Sequence, residues 1–234
     1  MTTAMSANLH PSDGAGTHRG SLRRGVLFVI SAPSGAGKTT LCKQLMASLH
    51  GIWHSVSYTT RKPRAGEESG REYYFIEESV FQEMAARHEF LEYAQVYGQW
   101  YGTPRKALLD KVEQGVDVLL EIDVQGALQI KKQFGEAVYV FILPPSLDTL
   151  RERLHGRASD SPEEIHRRLQ QVTEEVRNFH EYHYIVRNDD LGQSLRELQS
   201  IFIAERLKTT RLNMNWFEQQ FPLDREAKHQ IETS

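Results

Sequence analysis

Short apolar runs alternate along the chain with segments whose apolar residues recur at helical spacing. Residues 26–30 form a continuous run of β-branched and other apolar side chains, typical of a strand buried on both faces of a parallel sheet. Similar runs occur at 116–122, 138–143 and 184–186. The helical patterns that follow these runs cover 39–49, 126–132, 147–154 and 195–207. This alternation predicts an α/β fold with a central parallel sheet flanked by helices.

Two stretches interrupt the alternation, and both are interpreted as insertions that serve a site rather than add strands to the sheet. Residues 58–103 are rich in Tyr, Arg, Glu and Gly, and residues 151–168 carry five arginines. Residues 1–24 contain too few large apolar side chains to offset the entropy of ordering, so a flexible N-terminal extension is expected. The remaining ranges are assigned to the core (25–57, 104–150 and 176–208) and to a C-terminal tail (209–234).

Composition excludes several classes of protein. The 234 residues include 28 Lys plus Arg and 31 Asp plus Glu, a formal net charge of −3, which argues against a surface devoted to nucleic acid. The apolar run at 138–143 is far shorter than the about 20 residues of a membrane span. The single cysteine, Cys42, cannot form an internal disulfide, and a cytoplasmic location is the simplest expectation.

The segment APSGAGKT at 32–39 has the spacing of a phosphate-binding loop between a buried strand and a helix. Gly35 and Gly37 allow the backbone to curl so that its N–H groups converge on phosphate oxygens. Lys38 can reach the β- and γ-phosphates, and the Thr39 hydroxyl can bind Mg²⁺. The loop predicts a nucleoside triphosphate site, but it leaves a GTPase, a motor and a kinase open.

An acidic pair closes the predicted strand at 116–122. Glu121 and Asp123 would lie at the carboxyl end of a parallel strand, where α/β proteins bind their ligands. These carboxylates are therefore candidates for the second element of the site. A solvated strand end is the alternative interpretation.

Basic and aromatic side chains are concentrated in the 58–103 region. Arg61 and Arg64 lie three residues apart beside turn residues, and two planar guanidinium groups can neutralise a phosphate dianion. Glu92 can accept hydrogen bonds from the ring N–H and exocyclic amine of guanine, a donor pair that adenine lacks. The residues alone leave open a small phosphorylated acceptor, a Tyr-rich surface subdomain and a basic patch for nucleic acid.

Taken together, these segments resemble the guanylate kinases, nucleoside monophosphate kinases of the P-loop NTPase superfamily. The matching stretches, in one order over about 25–208, are SAPSGAGKTTL, VSYTTRKPRAGEESGREYYF, EFLEYAQVYGQWYGT, VLLEIDVQGALQIKK, FILPPSLDTLRERLHGR and VRNDDL. The resemblance implies Mg²⁺-dependent transfer of a phosphoryl group from ATP to GMP and dGMP. It also implies that 58–103 binds GMP and that 151–175 is a lid.

The resemblance assigns roles to individual residues. The predicted ATP contacts are Ser34, Gly35, Ala36, Gly37, Lys38, Thr39, Thr40 and Asn188. The predicted GMP contacts are Ser57, Arg61, Arg64, Glu67, Tyr73, Glu92, Tyr101, Thr103 and Asp123. The predicted catalytic cations are Lys38, Arg61, Arg153, Arg157 and Arg168. The Mg²⁺ contacts would be Thr39 and, through water, Asp123.

Two other functions remain open at this point. A guanylate-kinase-like scaffold that binds phosphorylated peptides would keep the arginines and tyrosines and lose the phosphate loop, which is present here. A kinase for another nucleoside monophosphate or a phosphorylated sugar would not depend on Glu92 for its acceptor preference.

Two further groups of residues are interpreted as structural. His50 and His54 have a spacing seen at metal sites, but Gly51 weakens a helix between them and no Cys/His cluster accompanies them. The residues Met214, Trp216, Phe217 and Phe221 are interpreted as a packing stripe or a homo-oligomer surface.

Overall fold

The computed structural model describes residues 22–96, 98–155, 170 and 172–222. The strands are β1 (Leu27–Ser31), β2 (Ile52–His54), β3 (Tyr58–Thr59), β4 (Tyr74–Phe75), β5 (Phe90–Val96), β6 (Gln99–Pro104), β7 (Asp117–Glu121), β8 (Val138–Leu143) and β9 (Tyr184–Arg187). The α-helices with defined bounds are α1 (Lys38–Ser48), α2 (Glu78–Ala86), α3 (Arg105–Glu113), α4 (Val124–Gln133), α5 (Leu147–His155), α6 (Leu191–Arg206) and α7 (Met214–Gln220). Residues 172–177 are also helical.

The central sheet contains five parallel strands in the order β2-β7-β1-β8-β9. Its middle strand, β1, is buried on both faces. Phe28 and Ile30 pack with side chains of α1 and α6, whereas Leu27 and Val29 pack with side chains of α3 and α4. The apolar run at 26–30 is therefore continuous because neither face of the strand meets water. The predicted α/β fold is confirmed.

The apolar pattern does not predict β2, which forms one edge of this sheet beside β7. The strand has only three residues, all half-buried, and it follows Gly51, whose φ of 78° turns the chain after α1. Pairing with β7 sets His54 opposite Leu119. The strand therefore brings His54 to the carboxyl edge of the sheet, where the phosphate loop also lies.

A second sheet, in the order β4-β3-β6-β5, is formed within the region 58–104. Its strands β3 and β4 are parallel, and the β3–β6 and β5–β6 pairs are antiparallel. Helix α2 covers it through Phe81, whose ring stacks on Phe90 at a centroid distance of 4.5 Å. No described residue of this sheet pairs with a strand of the central sheet.

Helix α4 connects the two sheets. It begins directly after β7, and its Gln129 side chain donates to the Tyr93 carbonyl of β5 at 2.9 Å. The Tyr93 amide donates back to Gln129 at 3.4 Å, so the side-chain amide replaces a strand partner. The helix thereby fixes β5 relative to the carboxyl end of β7.

At the opposite, amino end of β7, the fully buried carboxylate of Asp117 ties three segments together. It accepts hydrogen bonds from both terminal nitrogens of Arg23 at 2.6 and 3.0 Å and from Nε of Arg206 at 2.5 Å. The backbone amide of Val26 also donates to it, at 2.9 Å. A buried carboxylate is tolerated here because its oxygens are paired and hydrogen-bonded.

Residues 23–212 form one compact unit, and α7 belongs to a second one. Within the second unit, the Asn213 side chain caps α7 by accepting from the Trp216 amide, and the rings of Phe217 and Phe221 lie 5.2 Å apart. Across the described ranges, no helix has both the length and the apolar character that a membrane span requires.

Candidate active site

The phosphate loop lies between β1 and α1, and its backbone has the conformation that glycine permits. Gly35 and Gly37 have φ values of 89° and 91°, in the left-handed region. The buried amide of Asn188 supports the loop, because its Nδ2 donates to the Ala36 carbonyl at 2.7 Å. A Cβ at Gly37 would collide with this same nitrogen. Asn188, predicted as an ATP contact, thus also holds the loop in shape.

Two side chains at the start of α1 reach the acidic strand end. Lys38 Nζ donates to the carbonyl of Ile122 at 2.8 Å, and Thr39 Oγ1 donates to Oε2 of Glu121 at 3.1 Å. The structure therefore brings the loop and the carboxyl end of β7 together, as the sequence predicts. The carboxylate in contact with Thr39 is that of Glu121.

Asp123 caps α4. Its Oδ1 accepts from the amide of Gly126 at 2.9 Å. Burial raises the pKa of Asp123, although the Gly126 hydrogen bond and the charge of Lys38 oppose this rise. Because the charge of Lys38 acts on it, Asp123 lies close to the phosphate loop.

The second sheet presents a buried carboxylate, Glu92, to this region. Glu92 is 5% exposed, and Thr103 Oγ1 donates to its Oε1 at 2.6 Å. Burial raises the pKa of Glu92 to about 7; the Thr103 hydrogen bond opposes the rise and the Asp123 carboxylate adds to it. A Cβ at Gly126 would lie 2.5 Å from Oε2 of Glu92 and 3.2 Å from Oδ1 of Asp123, so the two acids meet at the start of α4.

Arg61, which follows β3 of the second sheet, is held in a fixed orientation. Its Nη2 donates to both oxygens of Glu67, at 3.0 and 2.9 Å, and Glu67 also accepts from the Arg64 amide at 2.8 Å. Burial acts to raise the pKa of Glu67, but these hydrogen bonds outweigh it and lower the pKa. The Arg61 guanidinium lies 5.5 Å from the ring centroid of Tyr73 and 5.6 Å from that of Phe75. A preoriented cation of this kind suits phosphate binding.

Two tyrosines, Tyr73 and Tyr101, lie next to Arg61. The rings of Tyr73 and Tyr101 meet edge to face, with centroids 5.7 Å apart. Burial raises the pKa of Tyr73 to about 12, so its hydroxyl stays protonated and can donate to an anion. Ser57 is also buried, and its carbonyl accepts from the Tyr74 amide at 2.9 Å.

Most of the site residues predicted from the sequence thus lie in two parts of one unit. The first part is the phosphate loop together with the end of β7, and the second is the second sheet together with the start of α4. Arg64, Thr39 and Thr40 are exposed there. Arg157, Arg168 and the side chain of Arg153 lie outside the described residues.

One side chain at this edge, His54, is interpreted from the sequence as structural. Its Nε2 lies 3.5 Å from Oε1 of Glu121. Its spacing from His50 does not indicate this contact, and its place one residue before the matching stretch VSYTTR is a weak signal. The contact depends on the pairing of β2 with β7, which the local pattern does not predict.

Comparisons with known proteins agree with this geometry. A family model described as guanylate kinase matches residues 24–205. The guanylate kinase of Geobacter metallireducens is 49% identical over 190 residues, which cover 81% of this chain and 94% of that protein. The guanylate kinase of Dechloromonas aromatica is 50% identical over 183 residues, which cover 78% and 91%.

A solved structure gives the same result. The crystal structure of guanylate kinase from Anaplasma phagocytophilum aligns with a TM-score of 0.72 and 33% identity, covering 87% of this chain and 100% of that one. The family match covers the phosphate loop, the second sheet and the helices around both. The chain belongs to the guanylate kinase family.

Proposed function

We propose that the protein is an ATP:GMP phosphotransferase, which converts ATP and GMP into ADP and GDP and accepts dGMP as well. One observation carries the proposal: the region of the second sheet holds both a buried carboxylate, Glu92, bonded by Thr103 at 2.6 Å, and a preoriented arginine, Arg61, in a chain with an intact phosphate loop. A scaffold that only binds phosphorylated peptides would have no use for that loop. As an enzyme of nucleotide metabolism, the protein would act in the cytoplasm.

We assign guanine recognition to Glu92, Ser57 and Thr103. The ring N–H and exocyclic amine of guanine would donate to the Glu92 carboxylate, and the hydroxyls of Ser57 and Thr103 would contact the base edge. Adenine has an acceptor where guanine has the ring N–H, so it would offer the buried carboxylate no matching pair of donors, and the oxygen not bonded to Thr103 would stay without a partner. Leaving such a group unpaired costs enough free energy to give strong selectivity.

The phosphate of GMP is assigned to Arg61, Arg64, Tyr73 and Tyr101. Glu67 would not touch the nucleotide; by holding Nη2 of Arg61 it fixes the direction of the guanidinium. The two tyrosine hydroxyls would add donors without adding charge. The acceptor phosphate would thereby be oriented toward the phosphate loop.

ATP binding is assigned to the loop residues 34–40 and to Asn188. Backbone N–H groups of the loop and the start of α1 would surround the phosphates. Lys38, whose Nζ now rests on the Ile122 carbonyl, would turn to the transferring phosphoryl group. The predicted catalytic roles of Arg153, Arg157 and Arg168 on the lid stay part of the proposal.

The donor atoms present fit Mg²⁺. Thr39 Oγ1 and the Glu121 carboxylate are hard oxygen donors 3.1 Å apart, and Mg²⁺ is usually held by one or two such groups together with water and substrate phosphates. Thr39 would contact the ion directly, and Glu121 and Asp123 would contact it through water. When bound, the ion neutralises charge on the β- and γ-phosphates.

The transfer itself requires positioning rather than covalent catalysis by the protein. An oxygen of the GMP phosphate attacks the γ-phosphorus of ATP, and the bond from that phosphorus to the β–γ bridging oxygen breaks. Arg61 and Lys38 stabilise the charge on the two sides of the group in transfer. A general base is unnecessary because the GMP phosphate is largely ionised at neutral pH.

The test is a coupled assay of ADP formation with ATP and each of GMP, dGMP, AMP, UMP and CMP. We expect turnover with GMP and dGMP and little with the other three. An enzyme that does not turn over GMP would overturn the proposal. Omission of Mg²⁺ with added chelator should abolish the activity.

A further inference from the structure

One side chain at the edge of the site, His54, has no role in the mechanism described so far. Its Nε2 lies 3.5 Å from Oε1 of Glu121. The other carboxylate oxygen of Glu121, Oε2, accepts the hydrogen bond of Thr39 at 3.1 Å. The carboxylate is thus held between the phosphate loop on one side and strand β2 on the other.

The register of the central sheet places His54 there. His54 pairs with Leu119 of β7, and the amide of the next residue, Ser55, donates to the Leu119 carbonyl at 3.1 Å. Side chains two residues apart in a strand point to the same face, so Leu119 and Glu121 lie on one face. Leu119 packs with the apolar side chains of α1, and His54 therefore reaches Glu121 on the face that carries the phosphate loop.

The contact is partly shielded from water, because the His54 side chain is 27% exposed and that of Glu121 is 13% exposed. An imidazole with a proton on Nε2 can donate it to a carboxylate oxygen. Here the oxygen within reach is Oε1 of Glu121, 3.5 Å from Nε2.

We propose that His54 is a positioning residue, whose Nε2–H orients Glu121 so that its second oxygen faces Thr39 and the water shell of the magnesium ion. The inference rests on the proposed function of Glu121 in that shell. Groups that orient the ligands of a metal typically change its affinity by about 10- to 100-fold when they are replaced. Because Glu121 acts through water, we expect the lower end of that range.

The test compares two near-isosteric variants, His54→Gln and His54→Met. The Gln side chain retains an N–H donor and the Met side chain has none. Calorimetry at neutral pH measures binding of a non-hydrolysable ATP analogue, once with Mg²⁺ and once with chelator. In His54→Met we expect the affinity for the Mg²⁺ complex to fall about tenfold, with unchanged affinity for the metal-free analogue and for GMP. In His54→Gln we expect near wild-type affinity for both forms.

Glu121→Gln separates this inference from the proposed function. In the wild type, Mg²⁺ should increase the affinity for the ATP analogue. If Glu121→Gln loses this increase and His54→Met keeps it, the positioning role of His54 is overturned and the metal role of Glu121 stands. If Glu121→Gln keeps the full increase, the metal role of Glu121 is overturned, and the inference with it. Equal losses in His54→Gln and His54→Met would also overturn the inference, because they would show that shape rather than the donor matters. If His54→Met fails to fold, His54→Phe, which keeps a ring without the N–H, replaces it with the same expected loss.

Discussion

Thr103 Oγ1 donates a 2.6 Å hydrogen bond to Oε1 of Glu92, and the two residues are buried, Thr103 fully and Glu92 with 5% of its surface exposed. A carboxylate buried with so few partners is costly unless a ligand supplies further donors. In the proposed enzyme, guanine would supply those donors to Glu92. Its energetics lead directly to a prediction about pH.

The free energy of unfolding should depend on pH through Glu92. Burial raises the pKa of Glu92 from 4.5 to about 7, so between these values the folded protein binds more protons at this site than the unfolded chain does. The contribution of Glu92 to the free energy of unfolding therefore falls as the pH rises through this range. Glu92→Gln removes this dependence, and the stability of the variant relative to wild type should increase with pH.

Urea unfolding of both proteins at about pH 5 and about pH 8 measures this difference. Glu83→Gln is the matched control, because the Glu83 side chain is 66% exposed. The stability of this variant relative to wild type should be the same at both pH values. A Glu92→Gln stability difference that is the same at both pH values would contradict the prediction.

The close approach of α4 to Glu92 can be tested with Gly126→Ala. The added Cβ would lie 2.5 Å from Oε2 of Glu92, so the carboxylate or the helix must shift. A displacement of about 1 Å in a positioned group can cost about 100-fold in catalytic efficiency. We expect a loss of that order in kcat/KM for GMP, with little change in the affinity for ATP.

Gly135→Ala provides the control, since a Cβ at Gly135 meets nothing within 4 Å. Steady-state kinetics with GMP varied at saturating ATP, and the reverse, separate the two substrates. Wild-type kinetics for Gly126→Ala would show that the guanine does not lie where the two acids meet.

Glu67 is expected to act on GMP binding through Arg61. In Glu67→Gln the bidentate partner of the guanidinium is lost, and Arg61 is no longer held toward the acceptor phosphate. We expect KM for GMP to rise about tenfold, the loss typical of one charged hydrogen bond, while KM for ATP stays constant. Glu68→Gln, at a side chain that is 73% exposed, should behave as wild type. Equal kinetics for the two variants would remove Glu67 from the site.

Asp117 is expected to matter for stability and not for catalysis. Asp117→Asn removes the buried charge that pairs with Arg23 and Arg206 at the end of β7 opposite the site. Breaking a buried ion pair costs about 3 kcal/mol or more in the free energy of unfolding. Denaturant unfolding should show that loss, with unchanged kcat and KM at a temperature where the variant is folded. The control is Asp110→Asn on the exposed side of α3, and a change in KM in Asp117→Asn would contradict a purely structural role.

Local patterns predict the parts of the molecule that local physics determines. The apolar run at 26–30 and the glycines at 35 and 37 are sufficient for a buried strand and a phosphate loop, because burial and positive φ act on the residues themselves. The Glu92–Thr103 pair joins the antiparallel neighbours β5 and β6, a pairing that is not predicted from the sequence. The resemblance to a family added the roles of these residues.

Contacts between distant segments could not be predicted in this way. Asn188 reaches the Ala36 carbonyl across 152 residues, and Arg23 reaches Asp117 across 94. Both contacts depend on the order of strands in the central sheet, which periodicity does not encode. His54 approaches Glu121 for the same reason, since β2 is too short and too polar to be predicted as a strand.

The central claim is that buried Glu92 selects GMP as the acceptor. Its most direct test is to measure the ratio of kcat/KM for GMP to kcat/KM for AMP, in the wild type and in Glu92→Gln. The amide of Gln cannot accept hydrogen bonds at both of its terminal atoms, so guanine loses one of its two partners. The account predicts a strong preference of the wild type for GMP, and a fall in kcat/KM for GMP of about 100-fold in the variant, with no fall for AMP. An unchanged preference for GMP in Glu92→Gln would contradict it.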